Sequence, residues 1–71
     1  MKDIEGELVE LVNEGTIIGA RVKMADGKVR TFWGDHRMML DAFEGRKNGV
    51  RVIIHYEAQT DWTVEFPDDE G

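Results

Sequence analysis

The stretch from Arg21 to Trp33, RVKMADGKVRTFW, carries Arg21, Lys23, Lys28 and Arg30 in a chain whose Asp and Glu residues outnumber its Lys and Arg residues by 15 to 9. Cations spaced on either side of an Asp-Gly pair are what a two-stranded ribbon would gather on one surface. There they could neutralise phosphates, with Phe32 among them as a face for stacking a base. Residues 16 to 33 hold those four cations against Asp26 alone, a local +3, so the remaining residues sum to −9 to reach the net charge of −6. General affinity for phosphate is disfavoured by that total, but one local patch is not.

Other chemistries find little support. The chain has neither Ser nor Cys, and its four Thr residues sit in no recognisable motif, so a triad or thiol nucleophile is excluded and no enzyme activity is expected. His36 and His55 lack a partner at helical spacing, Asp68, Asp69 and Glu70 read as a solvated tail, and no glycine-rich phosphate loop occurs. No metal and no cofactor are therefore expected. The absence of Cys removes a disulfide framework and fits a cytoplasmic location. The longest apolar run is Val52 to Ile54 with its flanks, too short to span a membrane. At 71 residues the chain reads as a single domain, expected to be a monomer, that buries only about 60% of its unfolded surface.

The elements that must position the basic stretch follow from periodicity. Residues 5 to 12 are aliphatic with imperfect alternation, which predicts a first strand, bulged or coiled, ending at Asn13-Glu14-Gly15. Residues 16 to 25 alternate cleanly, Asp26-Gly27 signals a two-residue hairpin turn, and residues 28 to 33 resume the alternation. Asp35 is placed to cap a helix over His36 to Glu44, with Gly45 at its C-terminal cap and Met38, Met39 and Phe43 as core filling. A turn at 46 to 49, a strand from Val50 to Glu57, a loop from Ala58 to Asp61 and a strand from Trp62 to Phe66 complete a domain over residues 1–66. Residues 67–71 form an acidic C-terminal tail. Trp62 and Tyr56 alternate with apolar neighbours and are expected in the core.

The order β-β-β-α-β-β at this length predicts an all-β fold, a five-stranded OB-fold Greek-key barrel with one short helix. The chain also resembles bacterial translation initiation factor one and related small RNA-binding OB proteins. The residues that carry the resemblance are Ile4-Glu-Gly-Glu-Leu-Val, the Ala-Asp-Gly-Lys hairpin tip at 25 to 28, and Gly49-Val-Arg-Val-Ile-Ile opening the fourth strand. It implies an RNA-binding barrel; the acidic composition, the Met-rich helix and the lack of a basic C-terminus depart from the family pattern.

With a two-residue turn, Lys23 would pair with Arg30, Val22 with Thr31 and Arg21 with Phe32. That register puts Trp33, Thr31 and Val29 toward the core and Arg21, Lys23, Lys28, Arg30 and Phe32 on the outer surface. Like charges facing each other across the ladder cost up to about 1 kcal/mol, so an anion is expected between them. A nucleic-acid backbone would make this chain a binding module for single-stranded RNA or DNA, RNA first, on the outer face of the second and third strands. The protein's own carboxylates are the other source: a three-residue turn after Val12 sets Glu7 opposite Arg21 and Glu5 opposite Lys23, whereas a four-residue turn does not. The alternative function is a protein-protein interaction or assembly domain that uses acidic docking surfaces.

Overall fold

The computed structural model describes residues 2–68. Among these, the elements run β1 (Lys2–Asn13), β2 (Ile17–Met24), β3 (Val29–Asp35), α1 (His36–Ala42), β4 (Arg51–Ala58) and β5 (Asp61–Glu65). All pairings are antiparallel within one sheet of order β3-β2-β1-β4-β5. Three hairpin-connected strands with a fourth returning beside the first make a Greek key, and α1 lies in the long connection that brings β4 back to β1. Because β3 and β5 each lie two antiparallel steps from each other's side of β1, the two outermost strands run in the same direction.

Alternation supplies the core. Ile4 and Leu8 of β1, Ile18, Ala20 and Val22 of β2, Phe32 of β3, Val52 and Ile54 of β4 and Trp62 of β5 are buried, and Met39 and Phe43 from the helical segment cover one end. Asp35 caps α1 as expected, its carboxylate accepting from the Met38 N–H at 2.9 Å. The helix stops earlier than its sequence predicts: Phe43 is its C-terminal cap and Gly45 takes its positive φ of 74° in the turn beyond. Met39 faces inward, but Met38 and Leu40 are exposed, so only one of the two paired methionines fills the core. Of the acidic tail expected at 67–71, residues 69–71 lie outside the described residues, and Asp68 accepts from Arg51 at 3.1 Å.

The hairpin between β2 and β3 departs from the predicted register by one residue. Gly19 pairs with Trp33, Ala20 with Phe32, Arg21 with Thr31, Val22 with Arg30 and Lys23 with Val29. The cause is the turn. Gly27 N–H donates to Met24 O and Met24 N–H to Lys28 O, so the loop holds Ala25, Asp26 and Gly27, with only Gly27 at positive φ (87°). This is the three-residue hairpin with a glycine bulge; the Asp26 carboxylate favours it by accepting the Lys28 N–H at 2.9 Å. A slip of one residue exchanges the faces of a strand. Phe32 is therefore 2% exposed in the core, and Trp33 stands on the outer face, the reverse of the sequence-based expectation.

Trp33 has a partner there in the form of a missing side chain. Its ring lies over Gly19, where an added Cβ would come within 2.9 Å of the ring and 2.7 Å of the Thr31 methyl. Gly19→Ala is thus expected to push the indole off the sheet and destabilise the fold by about 1–3 kcal/mol, as overpacking does. Urea unfolding measures the loss, and a red shift of tryptophan emission in the folded variant reports the displaced ring.

Candidate functional site

The four cations and the aromatic ring of the hairpin do not share one surface. Arg21 is beside Glu10, its cross-strand neighbour, and the two form a hydrogen-bonded ion pair. Lys23 stands opposite Glu7 on one side and Val29 on the other, so the Lys23–Arg30 repulsion expected from the sequence does not arise. Neither of the two turn lengths considered for the β1–β2 connection occurs. Glu14 N–H donates to Ile17 O, leaving Gly15-Thr16 as the loop, and β1 bulges between Leu8 and Glu10. In this register Lys23 pairs with Glu7 and not with Glu5, and on its β4 side Glu5 pairs with Ile53. Lys28 is exposed at the hairpin tip, and Phe32 is unavailable as a stacking face because it is core.

Arg30 goes elsewhere. In the observed register it belongs to the same side of β3 as Phe32, and its guanidinium lies 4.6 Å from the Tyr56 ring centroid and 5.0 Å from that of Phe32. Phe32 in turn meets Trp62 at 5.6 Å and Tyr56 at 6.0 Å between centroids, an aromatic cluster drawn from β3, β4 and β5. Contacts of this kind add about 0.5–1.5 kcal/mol each to area burial. Among the described residues the Arg30 N–H groups meet no hydrogen-bond acceptor and no carboxylate, whereas Arg21 and Arg51 each have one.

Between the edges of β3 and β5 the sheet leaves a gap that Trp62 bridges by donating its indole N–H to Trp33 O at 2.9 Å. Two clefts open along this gap. One, of about 270 Å³, is lined by Arg30, Thr31, Phe32, Trp33, Tyr56 and Gln59. The other, of about 310 Å³, is bordered by Ile17, Trp33, Asp35, Met38, Thr60 and Trp62. Trp33 and Gln59 line both, so the clefts are neighbours, flanked by the β1–β2 end at Ile17 and the β4–β5 turn at Gln59-Thr60. A further depression against Glu5, Glu7, Lys23 and Arg51 mixes both charges and has no aromatic wall.

The sequence singled out Arg30 but put it on the wrong face, and it missed Trp33, Tyr56 and Gln59 as a group. The only signal for Trp33 was Gly19, a residue without a side chain in a strand, which marks close approach of something else. Among the described residues no group of His, Cys, Asp or Glu is arranged to hold a metal ion, and no helix is long and apolar enough to cross a membrane. No family model, curated protein or solved structure matches the chain.

His55 of β4 bridges Asp3 of β1 and Glu65 of β5, with Nδ1 and Nε2 each 2.9 Å from a carboxylate oxygen. These hydrogen bonds, Asp3 first and Glu65 second, raise the His55 pKa above its ordinary 6.5. A raised folded-state pKa means that the stabilisation is complete below the unfolded value and is lost as pH rises through the folded one. Proton NMR titration is expected to place His55 above 6.5, and His55→Gln is expected to flatten that segment of the stability-pH curve. An unchanged curve would show that the bridge contributes nothing.

Proposed function

We propose that this chain is a non-catalytic binding module for single-stranded nucleic acid, RNA first, built on an OB-type barrel. The strand order supports the barrel: β3 and β5, the open edges, run parallel and are joined by the Trp62–Trp33 hydrogen bond and the Phe32 cluster. In such barrels ligands lie across the second and third strands between the first and fourth interstrand loops; the two clefts lie beside that face, at the β3–β5 edge, bordered by Ile17 and by Gln59-Thr60.

One observation carries the functional reading. Arg30, over the Tyr56 ring and without an acidic partner among the described residues, lines a cleft that it shares with an outward Trp33. In a chain of net charge −6, a guanidinium kept clear of carboxylates is suited to an anionic ligand, and an indole beside it suits a base. The outer hairpin face is a poorer platform because Glu10 and Glu7 already stand against Arg21 and Lys23. The site therefore moves from that face to the β3–β5 gap. Affinity rests on stacking, about 1–3 kcal/mol per base, with few phosphate contacts.

A protein partner is the second reading. Ile17 and Met38, which border one cleft, are exposed at 42% and 37%, apolar groups together on an acidic molecule.

Titration of a labelled single-stranded oligonucleotide separates these readings. Binding is expected at low salt with a shallow slope of log affinity on log salt, about −1, reflecting one or two phosphates. Arg30→Gln is expected to weaken binding about tenfold, and Trp33→Leu to lose about 1–3 kcal/mol with the slope retained. Replacing Arg21 and Lys23 together by Gln is expected to change affinity by less than about threefold. If that pair abolishes binding while Arg30→Gln does not, the site is on the outer face after all. An absence of binding to any oligonucleotide at low salt refutes the nucleic-acid reading.

A further inference from the structure

The two clefts that share Trp33 and Gln59 differ in chemistry. Arg30 and Thr31 make the first cationic and polar. Ile17, Met38 and the Trp62 ring make the second apolar, and Asp35, Gln59 and Thr60 are the polar groups on its border. Its only charged lining residue is Asp35, and a carboxylate repels phosphate while Arg30 attracts it. A nucleic-acid strand crossing Trp33 is thereby oriented, with its backbone on the Arg30 side and a base in the apolar cleft.

We infer that the apolar cleft takes a nucleobase bearing an exocyclic amine, with Asp35 as the acceptor that selects it. This rests on the nucleic-acid reading above. An ionised carboxylate accepts hydrogen bonds and donates none. One Asp35 oxygen caps α1 through the Met38 N–H at 2.9 Å, and the carboxylate retains its second oxygen and further lone pairs. Adenine, cytosine and guanine offer exocyclic amine donors, and cytosine N4 is an established partner of carboxylates. Uracil has no amine: its one pairing-edge donor, N3–H, lies between two carbonyl oxygens, so a carboxylate that reaches it meets their lone pairs. Gln59 and Thr60 each both donate and accept, so they do not discriminate. The cleft therefore prefers cytosine, adenine or guanine to uracil at one position of the strand.

The test compares rC8 with rU8, labelled identically, by fluorescence anisotropy on the full chain at low salt. Length and charge are the same, so the phosphate contribution cancels. The expected result is rC8 binding about fivefold or more tighter than rU8. Asp35→Asn retains a competent helix cap, since Asn caps as well as Asp, but replaces an acceptor by a donor, and it is expected to shrink the difference below about twofold. Circular dichroism checks that the variant folds. If it does not, Asp35→Ser, another competent cap without a carboxylate, serves the same purpose and is expected to shrink the difference likewise. Equal binding of the two oligonucleotides by the native protein, or a preference for rC8 that survives both substitutions, overturns the inference and leaves the nucleic-acid reading standing. Failure of both oligonucleotides to bind overturns the two together.

Discussion

The loop of Ala25, Asp26 and Gly27 sets the parity of β3, and most of the molecule's surface and core chemistry follows from that parity. With Gly27 at a φ of 87° and the Asp26 carboxylate on the Lys28 N–H, Met24 pairs with Lys28 and every later residue of β3 takes its face accordingly. Phe32 enters the core, Trp33 leaves it, and Arg30 comes to rest on the rings at the sheet edge. The Trp33 carbonyl accepts from the Trp62 indole of β5. A two-residue loop would have put Phe32 in water and two cations opposite one another, at a loss of about 1.5–3 kcal/mol for the ring alone.

Ionic contacts distribute the charge more than they hold the fold. Arg21 with Glu10 and Arg51 with Asp68 are largely exposed, and such pairs contribute about 0–1 kcal/mol each. Stability rests instead on the buried set from Ile4 to Trp62; among the described residues no polar or charged residue is buried. What the ion pairs do accomplish is selective. They occupy Arg21, Arg51 and His55 on the sheet surfaces, and they leave the guanidinium of Arg30 to the aromatic rings. A chain with many more acids than bases can in this way keep one cation open beside an indole without building a basic face.

Period-two alternation at Ile18, Ala20 and Val22 and at Val52 and Ile54, the Asp35 cap, and the order of three strands, a helix and two strands were all legible in the chain. They are local properties, each decided within a few residues by side-chain period and turn chemistry. The buried places of Met39, Phe43 and Trp62 belong with them. The register of β3 was not legible, because both of its faces carry apolar residues. Val29 and Trp33 on one side and Phe32 on the other make either parity acceptable to a pattern.

Burial of Phe32 against Tyr56 and Trp62, rings more than twenty positions away in the chain, distinguishes the two, together with an Asx hydrogen bond that an Asp-Gly pair permits but does not require. The bulge between Leu8 and Glu10 acts similarly on β1: the imperfect alternation predicted a bulge, but its position decides whether Glu10 or Glu7 meets Arg21. The candidate site is tertiary throughout, since Arg30, Trp33, Tyr56 and Gln59 meet only where β3 approaches the β4–β5 turn. Sequence alone determined which segments pair into a sheet, because periodicity and turns are local. The face each charge and ring occupies was decided by long-range packing, because in a strand a single-residue shift reverses it.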